Sequence, residues 1–187
     1  MSILLTGFEP FGGDAVNPSW EAVLRVPAEI AGHAVVKCQL PVVFGKAAEV
    51  LRGEIARLRP DIVLCCGVAN GRTALTPELV AINYRHARIP DNAGQQFHAQ
   101  PIDPDGPAAY MTRLPVHAMV DAMNAAGIPA ALSLSAGAYV CNDVYYALLD
   151  CEPVYGHRGL FLHVPGPEAA DADTAARGIA LCLQAAL

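Results

Sequence analysis

The sequence predicts an α/β protein, a three-layer α/β/α sandwich built on an open, twisted and mostly parallel sheet. Short apolar runs alternate along the chain with longer segments whose apolar residues recur at helical spacing, which is the pattern of consecutive strand–helix units. Residues 61–66 are apolar after their first position, as expected of a strand that is covered on both faces of a parallel sheet. In such sheets, functional sites form at the edge where the strands end.

The amino-acid composition limits which classes of protein this chain can belong to. Hydrophobic residues make up 53% of the 187 residues and charged residues 16%, so we expect a globular chain that forms a single domain over residues 1–187. The net charge of −6 without a basic run argues against nucleic acid as a partner. We see neither an apolar stretch of membrane-spanning length nor a signal-peptide pattern. Six cysteines without C-x-x-C spacing indicate reduced thiols in the cytoplasm and no zinc site.

A glycine-rich loop follows the first predicted strand. Residues 3–6 predict a short buried strand, and residues 7–14 form a turn that carries Phe8 and Phe11. The loop lacks the lysine of a phosphate-binding P-loop and the spacing of a dinucleotide fingerprint. Two interpretations of the phenylalanines stay open: they plug the core beneath an ordinary turn, or they form an apolar clamp for a small flat ligand.

The remaining elements alternate in type along the chain. Asn17 predicts a helix start as its N-cap, with Pro18 in the first turn. The pattern then predicts a strand at 34–43, a helix at 44–58, strands at 61–66 and 79–84, a helix from Tyr110 or Pro115 to about 126, a strand at 130–135, a helix to about 150, a strand at 159–165 and a helix at 168–187. Residues 85–109 show no periodicity, and so long a loop is more often functional than idle.

Cys141 lies where a predicted strand turns into a predicted helix. Residues 130–134, apolar apart from Ser133, predict a buried strand, small residues form the turn, and a helical pattern begins at Val140. A thiol in the first turn of a helix is expected to have a lowered pKa, and the free backbone N–H groups there can stabilise an oxyanion. Cys141 is therefore a candidate nucleophile; the alternative is a small buried hydrophobe.

A cysteine nucleophile needs a base, and the base needs a group that orients it. His163 is the best candidate base, because it ends an apolar strand at the sheet edge where Cys141 is expected. The alternative for His163 is a core histidine held by hydrogen bonds. Glu78 and Asp91 are both candidates for the orienting acid, and spacing does not decide between them. Arg88 could pair with either carboxylate or stabilise an oxyanion, with a surface role as the default.

Nine ordered segments of the chain resemble those of one enzyme family. They are Gly7-Phe8-Glu9-Pro10-Phe11-Gly12-Gly13, Asn17-Pro18-Ser19-Trp20-Glu21, Gly71-Arg72 with Thr76-Pro77-Glu78, Ala81-Ile82-Asn83, Ala87-Arg88-Ile89-Pro90-Asp91-Asn92, Gly106-Pro107-Ala108-Ala109-Tyr110, Ala136-Gly137, Tyr139-Val140-Cys141-Asn142 and Phe161-Leu162-His163-Val164-Pro165. Together they resemble the pyroglutamyl-peptidase I family, the pyrrolidone-carboxylate peptidases, in register over nearly the whole chain.

The resemblance implies a cysteine peptidase that removes an N-terminal pyroglutamyl residue from peptides. It implies Cys141 as nucleophile, His163 as base and Glu78 as the third member, and it leaves Arg88 and Asp91 as candidates for oxyanion or supporting roles. It further implies a single catalytic domain, no metal or other cofactor, small peptide substrates, a cytoplasmic location and a homodimer or homotetramer. The family's lactam pocket maps onto these positions: Phe8, Phe11, Asn17, the backbone at Val68, Tyr139 and Val140.

The chain departs from the family pattern at several positions. Leu134 replaces a polar residue, Ala138 replaces a threonine, Gly166 replaces a tyrosine, and Tyr84-Arg85-His86 stands where acidic or polar residues are usual. We expect the leucine to remove a hydrogen bond near the nucleophile and to loosen the site. Two alternative functions therefore remain. One is a catalytically weak lactam-binding protein in which Cys141 is structural, and the other is a nucleoside- or phosphate-binding protein suggested by the glycine loops.

Overall fold

The computed structural model describes residues 1–187 and contains eight strands and six helices. In chain order they are β1 (Ser2–Phe8), α1 (Pro18–Arg25), β2 (Glu29–Ile30), β3 (His33–Leu40), α2 (Lys46–Leu58), β4 (Ile62–Ala69), β5 (Thr76–Pro77), β6 (Val80–Ile82), β7 (Ala109–Met111), α3 (Val116–Ala125), α4 (Val140–Asp150), α5 (Glu152–Tyr155), β8 (Arg158–Pro165) and α6 (Ala172–Ala186). None of the helices is both long and apolar enough to cross a membrane.

Six strands form one mostly parallel sheet in the order β2-β3-β1-β4-β8-β5. The four central strands run parallel, and the short strands β2 and β5 are antiparallel to their neighbours at the two edges. Strands β6 and β7 pair separately as an antiparallel ribbon. The predicted α/β class and its mostly parallel sheet are therefore confirmed.

Helices cover both faces of the sheet, which makes the three predicted layers. Ile3 and Leu5 of β1 pack into a core shared with α1, α3 and α6, whereas Leu4 packs into a second core shared with α2 and α4. Cys65 and Cys66 of β4 divide between the two cores in the same way. The cause is the strand period of two residues, which sends successive side chains to opposite faces.

The strand predicted at 130–135 is not formed as a regular strand, although residues 129–133 make parallel backbone hydrogen bonds with residues 75–79. The pairing is limited to two isolated bridges, Leu75 with Ala130 and Glu78 with Ser133, and Leu134 is 65% exposed rather than buried. The segment lies at the margin of the sheet, where the side chain of Asn124 bonds both the N–H and the carbonyl of Ala130 at 2.9 Å. A side chain, and not a further strand, therefore pairs with these two groups of Ala130.

Other boundaries differ from the predicted ones by a few residues. The helix predicted from Tyr110 or Pro115 begins at Val116, and Tyr110 lies in β7 instead. The last helix begins at Ala172 rather than at 168, because the side chain of Asp171 accepts the N–H of Thr174 as its cap. The strand predicted at 79–84 is only three residues long and belongs to the ribbon.

Candidate active site

The carboxyl ends of the central strands and the N-terminus of α4 meet at one edge of the sheet. Phe8 ends β1, Val68 lies near the end of β4, and His163 lies near the end of β8. Cys141 is the second residue of α4. All four residues line one cavity of about 350 Å³, as expected for a parallel sheet whose functional loops follow the strands.

Nine of the eleven residues singled out from the sequence line this cavity. They are Phe8, Phe11, Asn17, Val68, Arg88, Tyr139, Val140, Cys141 and His163. The lining also contains six residues that sequence reasoning did not assign to the site, namely Val42, His86, Ile89, Ala136, Gly137 and Ala138. The two singled-out residues that do not line the cavity are Glu78 and Asp91.

The first turn of α4 presents unused hydrogen-bond donors beside the Cys141 thiol. The carbonyl of Tyr139 accepts the N–H groups of Asn142 and Asp143 at 3.1 and 3.2 Å, and the Tyr139 side chain makes no capping hydrogen bond. The N–H groups of Val140 and Cys141 donate to no backbone carbonyl. Two donors at a helix N-terminus can hold an anion or a developing oxyanion.

The surroundings of the Cys141 thiol oppose its ionisation. Burial raises its pKa to about 12, and the negative charge of Glu78 acts in the same direction. The nearby charge of Arg72 opposes the shift without reversing it. This direction is opposite to the one expected for a thiol at a helix N-terminus, because desolvation of the thiolate opposes the effect of the helix end. A reaction at this thiol needs a base that takes its proton.

His163 is held by Glu78 and is available as that base. The distance between Nδ1 of His163 and Oε1 of Glu78 is 2.7 Å, which leaves Nε2 of the ring free. Burial lowers the pKa of His163 from its ordinary value of 6.5, although the hydrogen bond and the charge of Glu78 oppose the shift. The imidazole is therefore neutral at pH 7 and can accept a proton.

Glu78 is fully buried, and hydrogen bonds from several neighbours hold its side chain and its backbone in place. Nη1 of Arg72 lies 2.6 Å from Oε1 of Glu78. The backbone N–H of Glu78 donates to the Phe161 carbonyl at 2.9 Å, and the backbone carbonyl of Glu78 accepts the Tyr145 hydroxyl at 2.7 Å. Its second carboxylate oxygen has no partner. Arg72 was not assigned a role from the sequence, although it stands in the same family-like segment as Glu78.

Asp91 has a local structural role and does not contact His163. Its carboxylate accepts the N–H groups of Phe44, Ala93 and Gln95 at 2.8 to 2.9 Å, which is the behaviour of an aspartate that organises a turn. Of the two candidates for the orienting acid, only Glu78 reaches the imidazole.

Hydrogen bonds to neighbouring residues fix the orientation of the Asn17 side-chain amide. It caps α1 as predicted, since its Oδ1 accepts the N–H of Ser19 at 3.0 Å and the Ser19 hydroxyl at 2.8 Å. Its Nδ2 donates to the Glu9 carbonyl at 2.9 Å. An amide nitrogen has two N–H groups, so Asn17 keeps one donor for a molecule in the cavity.

Asn142 anchors the Cys141 helix and was not singled out from the sequence. Its side chain accepts the N–H of Ile82 at 3.0 Å and donates to the carbonyls of Ile82 and Tyr84 at 2.8 and 3.0 Å. Leu134, by contrast, points into solvent and does not line the cavity. We expected this leucine to loosen the site, but Leu134 does not contact the cavity.

A thiol and a carboxylate-held imidazole that face one cavity, beside two free backbone donors, form the arrangement of a cysteine-type hydrolase. The family model described as pyroglutamyl peptidase matches residues 1–187. The pyrrolidone-carboxylate peptidase of Levilactobacillus brevis is 52% identical over 167 residues, which cover 88% of this chain and 82% of that protein. The Bacillus velezensis protein of the same name is 50% identical, over 87% of this chain and 77% of its own length.

Solved structures agree with the sequence relatives. The crystal structure of pyroglutamyl peptidase I from Bacillus amyloliquefaciens superposes with a TM-score of 0.94 at 43% identity, covering 99% of this chain and 96% of that one. A mutant pyrrolidone carboxyl peptidase from Pyrococcus furiosus superposes with a TM-score of 0.94 at 36% identity, covering 100% and 98% of the two chains. The chain belongs to the pyroglutamyl peptidase family.

Proposed function

We propose that this chain is a cysteine peptidase that removes the N-terminal pyroglutamyl residue from small peptides, with Cys141 as nucleophile, His163 as general base and acid, and Glu78 as the orienting acid. The observation that carries the proposal is the shared cavity, which Cys141 lines together with an imidazole held by a fully buried carboxylate. Membership of the family supports the same reaction. We further propose that residues 1–187 act as a single catalytic domain.

The apolar part of the cavity suits a pyroglutamyl ring. The ring is small, neutral and nearly flat, with one N–H and one carbonyl on its edge, so the aromatic rings of Phe8 and Phe11 can pack against its faces. The remaining N–H of Asn17 supplies a hydrogen bond for the ring carbonyl. An ordinary N-terminal residue carries an ammonium group, and the cost of desolvating that charge excludes it from an apolar pocket.

The reaction begins with transfer of the Cys141 proton to Nε2 of His163 as the sulfur attacks the carbonyl that follows the ring. The oxyanion is stabilised by the N–H groups of Val140 and Cys141. The C–N bond then breaks, and His163 gives its proton to the departing amine, which leaves a thioester on Cys141. A water molecule loses a proton to His163 and attacks the thioester, which releases pyroglutamate and restores the thiol.

Two further expectations stay predictions, the cytoplasmic location and the homodimeric or homotetrameric assembly. Six free thiols are compatible with a reducing compartment. Exposed apolar side chains such as Met111 and Val154, at 62% and 70% exposure, are compatible with contacts between copies.

The test of the proposed function is hydrolysis of a chromogenic pyroglutamyl amide, with the matching prolyl amide as a comparison substrate. We expect the wild type to cleave only the pyroglutamyl compound and Cys141→Ala to lose this activity. Cys38→Ala is the matched control, because Cys38 is partly exposed and does not line the cavity. A folded wild type without activity would instead favour the lactam-binding alternative, and an active Cys141→Ala variant would exclude Cys141 as the nucleophile.

A further inference from the structure

One wall of the cavity is formed by residues other than those proposed to bind the pyroglutamyl ring. His86, Arg88 and Ile89 line the cavity together with Cys141, but they belong to the irregular segment that precedes β7 rather than to the strand ends that carry Phe8 and Val68. In the proposed reaction, Cys141 attacks the carbonyl that joins the ring to the next residue. The leaving residue therefore occupies the part of the cavity that the ring does not fill.

This wall is fixed to the loop that leads into α4. The N–H of His86 donates to the Ala138 carbonyl at 2.9 Å, and the Tyr139 hydroxyl donates to the Pro90 carbonyl at 3.0 Å. The N–H of Ala87 donates to the Phe97 carbonyl at 2.8 Å on the opposite side. Because hydrogen bonds hold it on both sides, the segment keeps a defined position relative to the Cys141 loop.

The wall carries a free positive charge. Arg88 is exposed and takes part in none of the nine ion pairs of the chain. The cavity lining contains no aspartate or glutamate, although the whole chain has a net charge of −6. His86 stands beside Arg88 in the wall, stacked on Tyr84 at 6.2 Å and in edge contact with His98 at 5.6 Å between ring centroids.

We propose that His86 and Arg88 form the subsite for the residue that follows pyroglutamate, and that this subsite favours leaving residues that carry a carboxylate. The proposal rests on the proposed function, since it places the leaving residue relative to Cys141. The carboxylate has two sources, the free C-terminus of a pyroglutamyl dipeptide or an acidic side chain. The guanidinium of Arg88 can accept either one, because its planar array of donors matches a carboxylate.

Two pairs of substrates separate the two sources. Pyroglutamyl-alanine is compared with pyroglutamyl-alanine amide, and pyroglutamyl-glutamate amide with pyroglutamyl-glutamine amide, at low ionic strength. We expect kcat/KM to be higher for the carboxylate-bearing member of at least one pair by about two- to fivefold, the range for an exposed ion pair. Added salt should reduce this ratio, because it screens exposed charges. Ratios of one in both pairs would overturn the proposal.

Substitution of Arg88 tests whether the preference comes from this residue. Arg88→Gln should bring the ratio close to one, mainly through a higher KM for the carboxylate-bearing substrate, and Arg88→Lys should keep part of it. Arg57→Gln is the control, because it removes the same charge from α2, outside the cavity lining, and should keep the wild-type ratio. An equal fall in kcat/KM on all substrates in Arg88→Gln would overturn the proposal. If the wild type does not cleave the neutral chromogenic amide at all, the proposed function itself is rejected.

Discussion

Gly67 leaves the space that the thiol of Cys141 occupies. A Cβ placed on Gly67 would lie 2.9 Å from Sγ of Cys141 and 2.9 Å from the ring of Phe161, closer than non-bonded carbon atoms approach. In the sheet, Gly67 of β4 is also the register partner of His163 of β8. A residue without a side chain therefore lies beside both proposed catalytic groups.

We expect Gly67→Ala to displace the thiol and to reduce kcat on the pyroglutamyl amide by about ten- to a hundredfold, since small misplacements of reacting groups are costly. Overpacking should lower the free energy of unfolding by about 1–3 kcal/mol. Hydrolysis and thermal unfolding measure the two effects. Gly53→Ala is the control, because no atom lies within 4 Å of its added Cβ and it lies inside α2. Equal activity losses in the two variants would contradict the steric argument.

Asn142→Asp tests the anchor between α4 and the ribbon. The variant keeps an acceptor for the N–H of Ile82 but loses both donors, so a buried carboxylate would face the carbonyls of Ile82 and Tyr84. We expect a loss of about 1–3 kcal/mol in the free energy of unfolding, and a Tm about 5 °C lower. Asn70→Asp, at an exposed position, is the control. If the two variants melt alike, the hydrogen bonds of Asn142 do not anchor the helix.

Glu78→Gln should slow the reaction and shift its pH dependence. An amide cannot stabilise the imidazolium, and it allows the wrong tautomer of His163, so we expect kcat to fall by about 10²- to 10⁴-fold. Glu78 raises the pKa of His163 against the lowering by burial. Its removal should therefore lower that pKa further and move the acid limb of the kcat/KM profile to lower pH.

The control for Glu78→Gln is Asp91→Asn, whose carboxylate organises a turn and does not contact His163. The acid limb should keep its wild-type position in this variant. A shift in Asp91→Asn with none in Glu78→Gln would reverse the assignment of the orienting acid.

Alkylation of Cys141 should depend steeply on pH in the absence of substrate. With a pKa of about 12, only a small fraction of the thiol is thiolate near neutral pH, and this fraction rises about tenfold per pH unit. We expect the rate of inactivation by iodoacetamide to rise accordingly between about pH 6 and pH 9. Mass analysis of the wild type and of Cys141→Ala identifies the labelled residue. A rate that is constant over this range would show a preformed thiolate.

Local patterns were sufficient for most of the fold. The apolar run before Gly67 predicts a buried central strand, and that strand is β4. Asn17 and Pro18 predict the start of α1, where Asn17 is the cap. These predictions succeed because strand periodicity and helix capping depend on neighbours a few residues apart. The strand at 130–135 fails for the opposite reason, since an apolar run does not reveal whether a partner lies on both sides.

By itself, the sequence determined the class of fold, the sheet edge at which the candidate residues gather, and the family through its ordered motifs. Spacing left Glu78 and Asp91 open, and only the family resemblance favoured Glu78; the contact itself appears only in the tertiary structure, because the bond from His163 to Glu78 spans 85 positions and depends on the pairing of β5 with β8. The tertiary structure also decided that burial raises the pKa of the Cys141 thiol and that Leu134 faces solvent. Long-range contacts and burial set these properties, and neither is encoded in the spacing of residues along the chain.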